Sequence, residues 1–446
     1  MGKGGNKILE IVWVDDTLEK GERRYPMRAK TFRSRGKSFI GFVVLMMVVL
    51  LFGGRAISAP AATPVKLGVI YPMTGANALG GQEAKRAIEL AISKINSQGG
   101  IKSLGGAVIK PVFADNEGTP TKSVSEAERL ITVEKVNFII GPYGSAEALP
   151  MSEITNKYKV PMINAKAYDN RIHERGLKYV WSTTLRNASV APTVIDCVDW
   201  LVTEGLKANR VSLLTSDTTY AQTLVIEYKK LLAERRYNIV SDISYPEKST
   251  DLIPVMSRVK ISNPDLLIQI SHFGSGQLAF KARYDLDFFP ANFGISTGAV
   301  DTRFVKILGP QVTAKAMDNT FGQLEWASDI NIPALKTVVA EYQSKYGEPL
   351  EVTGAAAYQA VLVMRRVLEK AGSLDPDAIK NAFGQIYIKQ GDPDMIVPYK
   401  SFKFDERGVN EGMRGVVVQW QDSKLVTVWP EEVASGKLRI PSKSRK

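Results

Sequence analysis

The sequence predicts an α/β fold made of parallel sheets and divided into two similar lobes. Three observations carry this. Short apolar runs, of the kind a strand buried on both faces shows, alternate with segments whose apolar residues recur three and four apart. Glycine and proline punctuate the joints between them. The alternation also stops near residue 182 and begins again, and a series of this kind implies parallel strands joined by right-handed crossovers with helices on both faces.

The first series opens with a strand at 66–71. A helix at 81–98 follows, with Ala84, Ala87, Ile88, Ala91, Ile92 and Ile95 on one face, and Gly99-Gly100 ends it. A strand at 108–114, a helix at 123–134, a strand at 137–140, a helix at 147–158 and a strand at 160–164 complete the series. Its focal stretch is 137–148. There Phe138, Ile139 and Ile140 are stopped by Gly141-Pro142, and Ser145 and Glu147 stand where the next helix begins. Backbone N–H groups without intrahelical partners would point above the strand end there, the geometry of a small-molecule site at the carboxyl edge of a parallel sheet. After 179–182 the second series runs helix 190–206, strand 211–215, helix 220–234, strand 239–245, helix 252–262, strand 266–270 and helix 275–286. Helices at 332–346, 353–371 and 377–383 follow, then an antiparallel pair at 415–420 and 424–429 and a polar tail.

Composition narrows the function. With 446 residues, 44% of them hydrophobic, the chain can bury more than one core, which excludes a disordered or fibrous protein. The net charge of +12 does not indicate nucleic-acid binding. Residues 1–58 hold 11 Lys and Arg against 5 Asp and Glu, half of that excess, and the remainder is spread without a basic cluster before Lys443, Arg445 and Lys446. Arg28, Lys30, Arg33, Arg35 and Lys37 precede an apolar run at 39–52 and small residues at 56–62, the pattern of a secretory signal peptide. The run is short for a membrane span, which needs about 20 apolar residues. Met27 directly before the basic region offers an alternative start. The single cysteine, Cys197, lies in a helical pattern, so no intramolecular disulfide forms, and no cysteine ends the leader to carry a lipid. The expected product is a periplasmic protein free of a lipid anchor.

No coherent catalytic set is found. The segment 294–298 has the Gly-x-Ser-x-Gly pattern of a nucleophile elbow, which requires a later histidine, but both histidines, His173 and His272, precede it. They lie far apart, without metal-ligand spacing, and no dinucleotide fingerprint is present. The expectation is a binder with no catalytic residues, no cofactor and no metal.

Ordered motifs then carry a resemblance. They are 65–75 (VKLGVIYPMTG), Gly80-Gly81, 95–101 (INSQGGI), Ile140-Gly141-Pro142, 160–164 (VPMIN), Tyr179-Val180-Trp181, 217–220 (DTTY), 346–349 (YGEP) and 357–360 (AYQA). Across residues 64–430 the chain resembles the substrate-binding proteins of branched-chain amino acid ABC transporters. The resemblance implies a type I periplasmic-binding fold, two doubly wound parallel-sheet lobes joined by a three-segment hinge. Residues 63–184 with 322–402 would form the first lobe and 185–321 with 403–430 the second, after a leader at 1–62 and before a tail at 431–446. The crossings are expected near 182–186, 319–323 and 403–412. A small-molecule ligand between the lobes and an inner-membrane ABC permease are the implied partners. A sensory binding protein of the same fold, taking an amide or an aromatic acid, is the alternative.

Site residues carry over one at a time. The resemblance implies that Ser145, flanked by Gly144 and Ala146, meets a ligand carboxylate. After the fourth strand the family's Ser-x-x-Ala-Thr is replaced by 164–168 (NAKAY), in which Ala167 matches, Tyr168 replaces the threonine and Lys166 is an added charge. Tyr220 matches the aromatic residue that closes over the ligand. The family's acids for a ligand ammonium are missing, because Ser271-His272-Phe273 and Ser296-Thr297-Gly298 stand at the two places. Tyr143, Tyr168, Trp181, Tyr220 and Phe273 are expected to line an aromatic pocket. The expected ligand is a carboxylate, either a branched-chain amino acid held mainly through that group or an acid lacking the ammonium.

Overall fold

Apolar runs at every inner position make the first sheet parallel and buried on both faces. The computed structural model describes residues 62–440; the expected leader, its apolar run and the end of the tail lie outside the described residues. Strands β1 (Val65–Tyr71), β2 (Ile109–Asp115), β3 (Phe138–Ile140), β4 (Met162–Asn164) and β5 (Val180–Ser182) pair in the order β2-β1-β3-β4-β5, all parallel. Helices α1 (Ala78–Ser97), α2 (Pro120–Thr132) and α3 (Ser145–Lys157) connect them. All three start earlier than apolar periodicity predicts, because their first turns lack the regularly spaced large apolar residues that mark the rest of each helix. In α2, Pro120 occupies the first turn and the Thr119 Oγ1 accepts a hydrogen bond from the Lys122 N–H at 3.3 Å.

The second lobe begins with α4 (Asn187–Thr203), where Cys197 is buried. It continues through β6 (Arg210–Ser216), α5 (Thr219–Glu234), β7 (Asn238–Tyr245), α6 (Ile253–Ile261), β8 (Leu266–Ile270), α7 (Phe273–Asp285), β9 (Ala291–Ile295), α8 (Phe304–Val312) and β10 (Phe321–Leu324). The chain then returns to the first lobe, where α9 (Pro333–Tyr346), α10 (Val352–Ala371) and α11 (Pro376–Phe383) are followed by the short antiparallel pair β11 (Ile388–Lys389) and β12 (Ser401–Phe402). Helix α10 packs along α1. Strands β13 (Val416–Gln421) and β14 (Lys424–Trp429) rejoin the second sheet, whose order is β14-β13-β10-β9-β8-β6-β7. In that sheet β13 runs antiparallel to both its neighbours, β10 and β14, and the other pairs are parallel.

Strands β9 and β10 were not foreseen, because each carries a glycine in place of a packing side chain. A Cβ on Gly294 would lie 1.9 Å from the Ala299 Cβ, and one on Gly322 1.9 Å from a Val300 methyl. The glycines let the segment 296–300 cross close over the sheet. Since β10 pairs with β9 and β13, the chain leaves the second sheet after Leu324, a little later than the expected crossing at 319–323. The first crossing joins β5 to α4, and the Ser182 N–H donates to the Gly408 carbonyl at 2.8 Å, so the third crossing runs beside it. No helix among the described residues is long and apolar enough to cross a membrane.

Candidate ligand-binding site

The cleft between the lobes is built from loops at the carboxyl ends of the strands. After β3 the chain turns at Gly141, whose φ is 136° and where a Cβ would lie 2.1 Å from the Ile70 carbonyl oxygen, so only glycine fits. Gly144 caps α3 in an extended conformation, and Ser145 is its first residue. The Ser145 Oγ accepts a hydrogen bond from the Asp169 N–H at 3.2 Å, which ties this helix start to the loop after β4. Asn164 shapes that loop. Its Oδ1 accepts from the Ala167 N–H at 2.8 Å and its Nδ2 donates to the Ala167 carbonyl at 2.7 Å, so the carbonyl is already engaged within the loop.

Six residues of the first lobe, Tyr143, Gly144, Ser145, Lys166, Ala167 and Tyr168, face Tyr220, His272 and Thr297 of the second around one cavity. The lobes touch there. The hydroxyls of Tyr143 and Thr297 are 3.0 Å apart across the cleft, and a cavity of about 20 Å³ is left, room for about one water. The His272 ring lies between Tyr220, at 4.7 Å between centroids, and Tyr143, at 5.7 Å. Tyr168 meets Tyr220 edge to face, and the Tyr220 hydroxyl donates to the Ser271 carbonyl at 2.8 Å.

The electrostatics favour a negative guest. Desolvation, and then the nearby Lys166 charge, push His272 down to about 4, so it is neutral at pH 7. Burial pushes the phenols of Tyr143 and Tyr220 up, which keeps them as neutral hydroxyls. Among the described residues no Asp or Glu lines the cavity, while Glu247 lies near enough to add to the rise of both phenols. The helices α3, α5 and α7 all begin at its rim, with N-caps at Gly144, Thr218 and His272. Lys166 is buried, and its Nζ is 2.7 Å from Glu325 Oε1 and 2.8 Å from the Tyr168 hydroxyl. Among the described residues no cluster of His, Cys, Asp and Glu could hold a metal ion.

A second contact between the lobes lies beyond Tyr143. Glu83 of α1 accepts from the Glu351 and Gly354 N–H groups at 3.0 and 2.6 Å, and Arg303 of the opposite lobe approaches its other oxygen at 3.4 Å. The Thr302 N–H donates to Glu351 at 3.1 Å, and the Arg303 Nε donates to Asp301 at 2.8 Å. Desolvation pushes Glu83 up to about 7 against the pull of Arg303, with Asp301 adding to the rise. Glu351 is raised as well, first by desolvation and then by the neighbouring acids.

Sequence-predicted residues fall into three groups. Tyr143, Gly144, Ser145, Ala167, Tyr168 and Tyr220 line the cavity. Ala146 sits in the first turn of α3 behind them, and Phe273 lines a smaller adjoining space with Tyr143, Thr297 and Arg303, its ring stacked on Phe304 at 4.9 Å. Trp181 is elsewhere: β5 is the edge strand, and its indole stacks on Phe383 of α11 at 3.8 Å and 6°. It is core. His272 and Thr297 were not proposed as lining, although both stand where the family's acids are missing. In the sequence Lys166 reads only as an added charge, and no local pattern points to Glu325.

Comparison with known proteins follows the same line. Residues 64–424 match the family model for periplasmic binding proteins. A Leu/Ile/Val-binding protein homolog 7 of Brucella suis is 28% identical over 90% of this chain and 98% of its own length. A homolog 8 from the same organism is 26% identical over 87% and 96%. Among solved structures, the branched-chain amino acid substrate-binding protein LivJ of Streptococcus pneumoniae, in complex with isoleucine, superposes with a TM-score of 0.71 at 20% identity, covering 82% of this chain and 100% of that one. A solute-binding protein of R. palustris in complex with benzoate gives 0.71 at 20%, covering 84% and 100%. At these identities the likeness to the solved structures is one of fold.

Proposed function

Because this chain belongs to the periplasmic binding protein family, we propose that it captures a small carboxylate between its two lobes and hands it, unchanged, to an ABC permease of the inner membrane. The expected leader would deliver it to the periplasm. One observation carries the ligand class. The cavity gathers three helix starts, the hydroxyls of Ser145, Tyr143 and Thr297 and a lysine, and no acid lines it. A carboxylate gains charge-assisted hydrogen bonds in such a place, whereas a ligand ammonium would find no acid on the wall itself. The walls formed by Tyr143, Tyr168, Tyr220 and His272 suit a flat aromatic acid. The benzoate complex of the R. palustris neighbour is consistent with this, and so is a branched-chain acid without its amino group.

Closure follows from differential affinity. A ligand that touches Ser145 on one lobe and Tyr220 on the other binds the closed form more tightly than the open one, and that difference moves the hinge. A melting-temperature screen of ligand-stripped protein tests the reading, since a ligand at ~100 times its Kd stabilises the folded state by about 2.7 kcal/mol. Benzoate, hydroxybenzoates and 4-methyl-2-oxopentanoate should raise the melting temperature. A response to leucine and isoleucine with none to the acids would overturn the ligand class.

A further inference from the structure

One buried carboxylate stands directly behind the cavity wall. Glu325 follows β10, at the point where the chain leaves the second sheet, and is 1% exposed. It does not line the cavity; Lys166 and Tyr168, which do, bond to it. Its oxygens face donors. The Lys166 Nζ lies 2.7 Å away, the Tyr168 hydroxyl donates to the other oxygen, and the Thr184 Oγ1 of the first crossing is 3.5 Å away. The Lys166 and Glu325 side chains are 4% and 1% exposed, so their charges meet out of water.

An α-amino acid needs two things from a closed site: donors for its carboxylate and a desolvated anion for its ammonium. This chain has the donors at the α3 start. It also has a buried anion, but a tethered ammonium of its own is seated on it. We propose that Lys166 is a specificity-determining residue whose ammonium takes the place a ligand ammonium would occupy against Glu325, so that the site admits carboxylates and rejects their α-amino counterparts. The inference rests on the reading that the ligand lies between the lobes. A zwitterion entering here would bring a second ammonium beside Lys166 and find the Glu325 carboxylate committed to it; the other acid close to the wall, Glu247, is engaged by the Ser275 hydroxyl at 2.9 Å. Glu325 acts through Lys166 as a positioning residue. Because it begins the second crossing and also bonds the first through Thr184, it ties the state of the wall to the hinge.

The test is calorimetry on the full protein, stripped of ligand, with benzoate, leucine and phenylalanine as probes. Wild type should bind benzoate and neither amino acid. Lys166→Ala exposes the Glu325 carboxylate to the cavity, so the affinity for leucine or phenylalanine should rise at least about tenfold while that for benzoate falls by a similar factor. Adding Glu325→Gln should abolish the gain, because the anion that would receive the ligand ammonium is gone. If Lys166→Ala does not fold, Glu325→Gln alone decides: Lys166 remains and no anion is present, so amino acids should still be excluded. Amino-acid binding by Glu325→Gln, or a gain in Lys166→Ala that survives in the double variant, would overturn the assignment. Wild type that binds leucine with Lys166 in place removes this inference and leaves the cleft as the site. Wild type that binds none of the three removes the benzoate-type reading along with it.

Discussion

Glu83→Gln should alter how the stability of this protein depends on pH. The side chain is buried in the contact between the lobes, with one oxygen accepting two backbone N–H groups and the other 3.4 Å from Arg303. Desolvation outweighs those favourable contacts and lifts the carboxyl from 4.5 to about 7. That rise corresponds to about 3 kcal/mol. The folded state therefore holds a proton that the unfolded chain has released between pH 4.5 and 7. Stability from this group is full below 4.5, falls through that window and is level above it. Glu147, lifted by burial to about 7, acts in the same direction. His173 and His272, pushed by burial to about 4, act in the opposite one, because the unfolded chain takes up protons there first. Glu351 and Glu247, also raised by burial, add to the two acids, so wild type alone should lose stability as pH rises from 4.5 to 6.5. The glutamine keeps an acceptor oxygen and cannot titrate, so the difference between variant and wild type isolates the group. Urea unfolding of both at pH 4.5, 6 and 8 should show the variant gaining about 3 kcal/mol relative to wild type over that range. Because Glu351 and Asp301 share the site, the total change is the quantity to compare. A difference that does not move with pH would mean that folded Glu83 holds no extra proton in this range.

Three further outcomes are expected. Gly141→Ala places a Cβ 2.1 Å from the Ile70 carbonyl at a φ of 136°, and should cost at least about 3 kcal/mol or prevent folding, read by thermal melting. Trp181→Ala empties the stack against Phe383 and should cost about 3–5 kcal/mol in denaturant unfolding, while the preference between benzoate and leucine stays as it was. Ser145→Ala removes a hydroxyl from the cavity wall and should weaken the ligand by about five- to tenfold in a calorimetric titration; unchanged affinity would take the α3 start out of the site.

Much of the framework was legible in the sequence, for reasons that also mark where legibility ends. The first sheet could be read because Phe138, Ile139 and Ile140, and the strands beside them, are apolar on both faces, and α1 because its buried residues keep helical spacing. Strands β9 and β10 could not, since Gly294 and Gly322 serve a close crossing that only the folded chain reveals. The cleft wall at Tyr143, Gly144 and Ser145 was visible as a strand stopped by glycine before a helix start. Trp181 was misplaced because an aromatic at a strand end looks the same whether it faces a cavity or, as here, another helix. Lys166 stood out as a charge, but its partner Glu325 is 159 residues away, and no local pattern pairs them. His272 and Thr297 occupy places where the resemblance implied acids, so a missing residue was read as a lost contact when its replacement forms the wall.

A co-crystal structure with benzoate shows where the ligand sits. Its carboxylate should lie between the lobes, within hydrogen-bond distance of the Ser145 hydroxyl and the N–H groups that begin α3, with the ring against Tyr220 and His272. The chain offers a larger alternative, a groove of about 300 Å³ between α1, α9 and α10 lined by Lys94, Tyr358 and Arg365. Benzoate ordered in that groove, with the cleft unchanged, would mean that the ligand does not bind between the lobes.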